Sequence, residues 1–291
     1  MSGFDTRKAL RRYGVRPRKK SGQTFLTDPV VAKQIVDAAE LRSQDVVLEI
    51  GGGLGILTMW LARSAGHVYV VEIDPRLVRA LRDRFESRSN VYIIQGDALS
   101  IQLPAANKVV SNLPYSVSSE ITFRLIRELE FELAVLMYQR EFADRLLAEP
   151  GTRDYSRLTV DVRYAVDVEE VLQVPAERFY PVPAVDSTVV RLKHRAVGPF
   201  AQDEDVFFWT VRGVFSYPNK QVRRALRIWF KSFGRNESEA DTLLKRCADV
   251  ITGTERVRQL PVAAFVRLAD EVLGMIETGL VPDPRHGGRS R

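Results

Sequence analysis

From Asp45 onward the chain alternates short apolar runs with longer stretches of helical periodicity. DVVLEI at 45–50 leads through a glycine turn into ILTMWLARS, HVYVVEID at 67–74 into PRLVRALRDRF, KVVSNLPY at 108–115 into SEITFRLIREL, and LAVLMYQ at 133–139 into EFADRLL; VYIIQGD stands at 91–97. The runs are nearly continuous in apolar residues, as strands buried on both faces are, and the alternation predicts a parallel sheet covered by helices. VEEVLQV and STVVRLKHR supply two later strands. After His194 the segment HRAVGPFAQDED mixes Gly, Pro and acids, and beyond it only helical periodicity remains. The pattern predicts a doubly wound α/β domain over 21–197, a smaller all-helical domain over 198–291, and a separate N-terminal segment over 1–20.

Composition narrows the class. With 45% apolar and 27% charged residues, the 291-residue chain is neither disordered nor collagen-like, and its length suits two domains. No run reaches the roughly 20 apolar residues that span a bilayer, and MSGFDTRKALRRYG carries charge where a signal peptide is apolar, so the chain is expected to be cytoplasmic and without membrane association. A monomer is expected. One cysteine, Cys247, and three scattered histidines predict neither an internal disulfide nor a metal site. Residues 1–20 hold eight Lys/Arg against Asp5, residues 21–190 hold 17 against 24 acids, and residues 191–291 hold 18 against 12. Two basic segments thus flank a slightly acidic centre, a distribution suited to a polyanion held beside a catalytic domain, although solvated tails give the same pattern.

The chemistry concentrates at strand ends. Gly51, Gly52, Gly53 and Gly55 form a strand-to-helix turn where a ligand can approach the backbone, but GxGxG lacks the last glycine of the dinucleotide fingerprint, which argues against a pyrophosphate cofactor. Glu72 ends the second strand, where a carboxylate accepts ribose hydroxyls, and Asp97 ends the third, where one can hold an adenine amino group. Singly, each acid is better explained as a helix cap or surface ion pair. Three such features at consecutive strand ends point to a nucleoside cofactor without a phosphate, S-adenosylmethionine.

The fourth strand ends in Asn112-Leu113-Pro114-Tyr115. An amide followed by a proline-stiffened turn can direct the Asn112 oxygen and nearby carbonyls at one donor while Tyr115 offers a stacking face. That set suits the exocyclic amine of a base, with positioning and electrostatics in place of a strong general base. A lone Cys247 in the charged stretch KRCADV does not fit thiolate attack on cytosine.

The segments GQTFLTD at 22–28, EIGGGLGILT at 49–58, EID at 72–74, GDAL at 96–99, NLPYSVSS at 112–119 and FYPVPAVDSTVV at 179–190 resemble, in order, the ribosomal RNA adenine dimethyltransferases of the KsgA type. The resemblance covers residues 19–195, with a helical tail following as in that family. It implies a Rossmann-like class I methyltransferase sheet in which Gln23, Thr24 and Leu26 help enclose S-adenosylmethionine, and Gly51, Gly53, Glu72, Asp97 and Asn112 contact it. It implies further that Asn112, Leu113 and Tyr115 receive the target adenine and that Phe179 stacks on its other face; core filling is the alternative for Phe179. The family usually has Asn at Thr24 and Lys at Ala184.

In KQVRRALRIWFK at 220–231, Lys220, Arg223, Arg224, Arg227 and Lys231 carry the charge and Val222, Leu226, Trp229 and Phe233 the apolar face. Residues 216–235 contain six Lys/Arg and no acid, so no neighbour on the same helix neutralises them, and contact with RNA phosphates is expected. The N-terminal RKALRRYGVRPRKK is expected to be disordered alone and to order on RNA. The expected partner is ribosomal RNA or a small-subunit precursor particle, with methylation of two adjacent adenines near the 3′ end. A large-subunit RNA methylase and a non-catalytic assembly factor remain open.

Overall fold

The computed structural model of the protein describes residues 5–17 and 23–285. In chain order the elements are α1 (Thr6–Arg12), β1 (Phe25–Leu26), α2 (Pro29–Asp37), β2 (Val46–Ile50), α3 (Ile56–Ser64), β3 (His67–Glu72), α4 (Pro75–Phe85), β4 (Val91–Gln95), β5 (Lys108–Asn112), α5 (Ser118–Glu128), β6 (Leu133–Gln139), α6 (Arg140–Leu147), α7 (Arg157–Ala165), β7 (Val166–Val174), β8 (Phe179–Tyr180), β9 (Ser187–His194), α8 (Glu204–Phe215), α9 (Val222–Ser232), α10 (Glu237–Arg246) and α11 (Val262–Glu277).

Seven strands form one sheet in the order β4-β3-β2-β5-β6-β9-β7, in which β9 runs antiparallel to both neighbours and the five strands from β4 to β6 are parallel. The order reverses between β2 and β5, which makes the carboxyl ends of these two strands the place where an open sheet binds ligands. Every residue of β6 except Gln139 is buried, as expected of a strand covered on both faces. The helices start where the sequence supplies caps. Asp28 before Pro29 and Asp74 before Pro75 accept backbone N–H groups of the first turns of α2 and α4, and the prolines cost no hydrogen bond there. Leu77, Val78, Ala80, Leu81 and Phe85 then bury one face of α4 and leave arginines on the other.

Two compact units result. One runs to Ala143 and resumes over Val166–His194; the second comprises Asp144–Ala165 and the chain from Arg195 onward. A cut at residue 197 meets the last crossing within three residues but misses the earlier excursion. Its cause is burial: Tyr155, Val160 and Tyr164 belong to the core of α8–α11, and the Tyr164 ring stacks on Phe207 at 4.0 Å between centroids. Cys247 is also in that core, where burial pushes its thiol up to about 12, so it carries no thiolate.

The N-terminal segment departs from expectation. Residues 1–4 and 18–20 lie outside the described residues, but residues 6–12 form a helix rather than a disordered arm. Asp5 caps it, and Leu10 and Val15 are buried against Phe25, Leu54, Leu77 and Ala80 of the sheet-bearing unit. Leu10 and Val15, two apolar side chains among the cations, supply its buried contact.

Candidate active site

At the switch point β2 and β5 pair only at Val47–Lys108 and Leu48–Val109 and then part. The Ile50 N–H donates to the Ser111 hydroxyl at 2.8 Å instead of to a carbonyl of β5, so a side chain bridges the strands where their backbones diverge. Into the opening run the glycine turn from β2 and the Asn-Leu-Pro-Tyr turn from β5. Gly51, Gly53 and Gly55 have φ of 77°, 57° and 77°, values that a Cβ disfavours. Gly52 is fixed by packing, since a Cβ there would stand 2.3 Å from a Val70 methyl.

The two turns border a cavity of about 740 Å³, within the range of small-molecule sites. Gln23, Thr24, Leu26, Gly51, Gly53, Glu72, Asp97, Asn112, Leu113 and Tyr115 all line it, so the strand ends and the segment before α2 converge on one space. The convergence has a backbone cause: β1 pairs antiparallel with β8, Phe25 opposite Tyr180 and Leu26 opposite Phe179, and the Thr27 N–H donates to the Arg178 carbonyl at 2.8 Å. Phe25 then lies against the Gly53 turn.

Glu72 is 5% exposed and accepts N–H groups from Gly53 and Asp74, each at 3.0 Å, one on each carboxylate oxygen. Those bonds orient the group and leave each oxygen a further lone pair, while burial raises its pKa against them. Asp97 uses one oxygen to accept the Leu99 N–H at 2.9 Å and is otherwise exposed. Beside them stands Glu49, 1% exposed, whose pKa burial pushes up to about 8 despite a 2.6 Å hydrogen bond from Thr58.

The Asn112 side-chain oxygen is buried and has no hydrogen-bond partner. A buried acceptor without a partner is costly, and among the buried unpartnered side-chain atoms of the described residues this one alone belongs to a residue lining the cavity, where a bound donor could meet it. The Tyr115 hydroxyl is held 2.7 Å from Ser187 Oγ and also meets the Thr24 side chain, and burial raises its pKa; the ring is thus fixed while its hydroxyl stays neutral. Leu113 is buried beneath the turn.

Phe179 corrects one expectation. It is 2% exposed, is absent from the cavity lining, and packs in the core with Leu26, Val174 and Val189, so core filling is its place in this conformation.

Several contributors escaped sequence reasoning. Arg84 donates to the Leu54 carbonyl and so ties α4 to the glycine turn. Arg124 of α5 donates to the carbonyls of Ala98 and Ile101, holding the loop that carries Asp97. Both are distant arginines on exposed-looking helix faces, without a local signal. Glu49 was visible as a carboxylate at a strand end.

In the helical unit, Val222, Leu226 and Trp229 of α9 are buried as its periodicity requires, and Phe233 is half-buried beyond its end. Lys220 precedes the helix. Arg227, however, is not free: its guanidinium grips Asp241 of α10 with bonds of 3.1 and 2.7 Å and meets Glu237 at 2.9 Å, and Arg223 lies 3.8 Å from Asp241. The acids absent from α9 arrive from α10. Arg224 and Lys231 are exposed and make no ion pair among the described residues.

The chain is similar to several known proteins over most of its length. A probable ribosomal RNA small subunit methyltransferase A from Methanothermobacter thermautotrophicus is 44% identical over 94% of this chain and 97% of its own. One from Methanosarcina mazei is 49% identical over 76% of this chain and 80% of its own. Among solved structures, a dimethyladenosine transferase from Plasmodium falciparum matches with a TM-score of 0.75 at 30% identity, covering 88% of this chain and 98% of that one. The 23S rRNA methyltransferase ErmE matches with a TM-score of 0.66 at 29% identity, covering 85% and 98%. The family model for ribosomal RNA adenine dimethylase matches residues 14–272, and the chain belongs to that family.

Proposed function

We propose that the protein transfers methyl groups from S-adenosylmethionine to N6 of adenines in small-subunit ribosomal RNA, two adjacent ones near the 3′ end, acting in the cytoplasm on the RNA or a precursor particle. The observation that carries this reading is the buried, unpartnered Asn112 oxygen at the switch point, in one cavity with Glu72 and Asp97.

The cavity residues fit the cofactor. Glu72 is oriented by two N–H groups with lone pairs left for ribose hydroxyls, Asp97 has a free oxygen for an amino group, and the left-handed glycines allow close approach to the backbone. When bound, S-adenosylmethionine supplies an electrophilic methyl group on sulfur. Asn112 accepts one hydrogen of the adenine amine and draws its lone pair out of conjugation with the ring, which makes the nitrogen nucleophilic. Tyr115, pinned by Ser187 and Thr24, holds the base plane. With the amine held at Asn112 and the base plane at Tyr115, the nitrogen would be aligned to accept that methyl group and, once methylated, acidic enough to give its proton to water. The rate gain comes from alignment and preplaced acceptors.

The exposed Arg224 and Lys231 of α9, with Lys220 before it, are the RNA contacts proposed for the helical unit. The curated relatives are named for the small subunit, whereas ErmE acts on 23S RNA. Mapping methylated adenines in both ribosomal RNAs from cells lacking the protein separates the two: loss confined to the small-subunit 3′ region is expected, and loss confined to large-subunit RNA overturns the assignment.

A further inference from the structure

The docked N-terminal helix sets a cluster of cations beside the cavity. Its buried face, Leu10 with Val15 beyond it, packs in one cluster with Phe25, Leu54 and Leu77, three residues that also line the cavity. Two polar ties add to the apolar contact: Arg76 donates to the Gly14 carbonyl at 3.0 Å, and the Tyr13 hydroxyl donates to Asp83 at 3.1 Å. The helix is therefore fixed to the wall of the site.

Its outward face is basic. Arg7, Lys8, Arg11 and Arg12 are all exposed, and α4 adds the exposed Arg79, close enough to Tyr13 to act on its hydroxyl electrostatically together with Arg12. None of the five makes an ion pair among the described residues. The acids nearby are otherwise engaged, Asp5 capping α1 and Asp83 accepting from Tyr13. Arg7 lies over the Tyr180 ring at 4.8 Å and Arg12 over Tyr13 at 5.5 Å, stacking that directs guanidinium planes without consuming their N–H donors. Arg227 of α9 shows what this protein does with a cation it uses structurally: it pairs it with carboxylates. Five unpaired cations on two packed helices form a surface complementary to a polyphosphate backbone.

We propose that α1 and Arg79 form a second RNA-binding surface, on the sheet-bearing unit itself, which grips the phosphates flanking the target adenine. The identity of the polyanion rests on the proposed function; the surface itself rests on the unpaired cations and the docking of α1. The grip is independent of base sequence, because arginines and lysines on an exposed helix face meet phosphates, and its task is to hold the strand while one base enters the cavity.

The test uses the full chain and a fluorescently labelled RNA fragment from the small-subunit 3′ region, followed by anisotropy across a salt titration. Replacing Arg7, Lys8, Arg11 and Arg12 together by Gln is expected to weaken binding by about tenfold or more and to flatten the slope of log affinity against log salt by about 0.7 to 0.9 per lost contact. Arg79→Gln alone, which leaves α1 untouched, should flatten it by about one contact. Calorimetric affinity for S-adenosylmethionine should not change in either variant, which checks that the wall of the cavity is intact. Wild-type affinity and slope in both variants would overturn the proposal. Failure of the functional reading looks different: the wild-type protein would transfer no methyl group to the fragment, while the binding comparison would still score the surface.

Discussion

The strand-end cavity and the basic face of α9 treat their polar groups in opposite ways. In the cavity the backbone satisfies Glu72 with two N–H groups yet leaves the buried Asn112 oxygen with no donor. On α9 the apparent excess of charge is met in part, Arg227 being held by Asp241 and Glu237 while Arg224 and Lys231 make no ion pair among the described residues. An unmet acceptor in a buried place is a stronger sign of a missing ligand than an uncompensated charge in sequence, because burial removes water as an alternative partner whereas an exposed cation can always be hydrated or paired.

If that asymmetry is functional, Asn112→Ala should have the largest effect of any single change. Methyl transfer in a single turnover at saturating RNA and cofactor should fall by roughly 100- to 1,000-fold, the usual cost of deleting a transition-state hydrogen-bond partner. Cofactor affinity should stay near wild type. Turnover close to wild type would mean that the empty acceptor does not serve catalysis.

Glu72→Ala comes next. Losing charge-assisted bonds to the ribose costs roughly 1.5 to 3 kcal/mol, about ten- to a hundredfold in the dissociation constant measured by calorimetry. The same change releases the Gly53 and Asp74 N–H groups, so Glu72→Gln, which keeps an acceptor but lacks the charge, should fall between wild type and Glu72→Ala. An unchanged constant in folded Glu72→Ala would remove this carboxylate from the site.

How much of each region could be read from sequence follows from where its determinants lie along the chain. The strands, the helices after them, the glycine turn and the acids at strand ends are local: apolar runs, left-handed glycines and caps act within a few residues, and Glu72, Asp97 and Asn112 reach the cavity because parallel strands end at the same edge. The pairing of β1 with β8 joins residues about 150 positions apart, and nothing in FL or FY alone announces it. Phe179 stands in an aromatic, proline-rich turn whether it faces a base or the core; only packing decides. Arg227 and Asp241 are 14 residues apart on different helices, beyond the range of any i,i+4 rule. The excursion of residues 144–165 into the helical core is invisible for the same reason: a domain assignment that follows the chain cannot see a segment that leaves and returns.

The pH response should distinguish the two regions by sign. Glu49, facing Thr58, Glu72 and Arg84, has its pKa raised from 4.5 to about 8 by burial, so folding favours its protonated form. Its contribution to stability is complete below the unfolded value near 4.5 and is lost as pH rises through about 8. Asp241 is held below the usual carboxylate range by Arg227, so its contribution is present above its unfolded pKa and disappears as pH falls through its lowered folded value. Melting temperatures of cofactor-free Glu49→Gln and wild type should therefore converge at acidic pH and separate at alkaline pH, the wild type declining more. Parallel curves would show that Glu49 is not buried as a neutral acid.

The smallest effects concern α9, and they decide whether its cations divide as their ion pairs indicate. Arg224→Gln and Lys231→Gln should each flatten the salt dependence of RNA binding by about 0.7 to 0.9 without altering the melting temperature. Arg227→Gln should do the reverse, lowering the melting temperature slightly while leaving the slope alone, since its guanidinium is already committed to Asp241. Arg223, 3.8 Å from that carboxylate, should fall between them. An equal change of slope for Arg227→Gln and Arg224→Gln would mean that RNA draws Arg227 away from Asp241, and that pairing within the folded chain does not predict which cations meet phosphate. Unchanged slopes in all of these variants would make the whole face a solvated one and leave the sheet-bearing unit to hold the RNA.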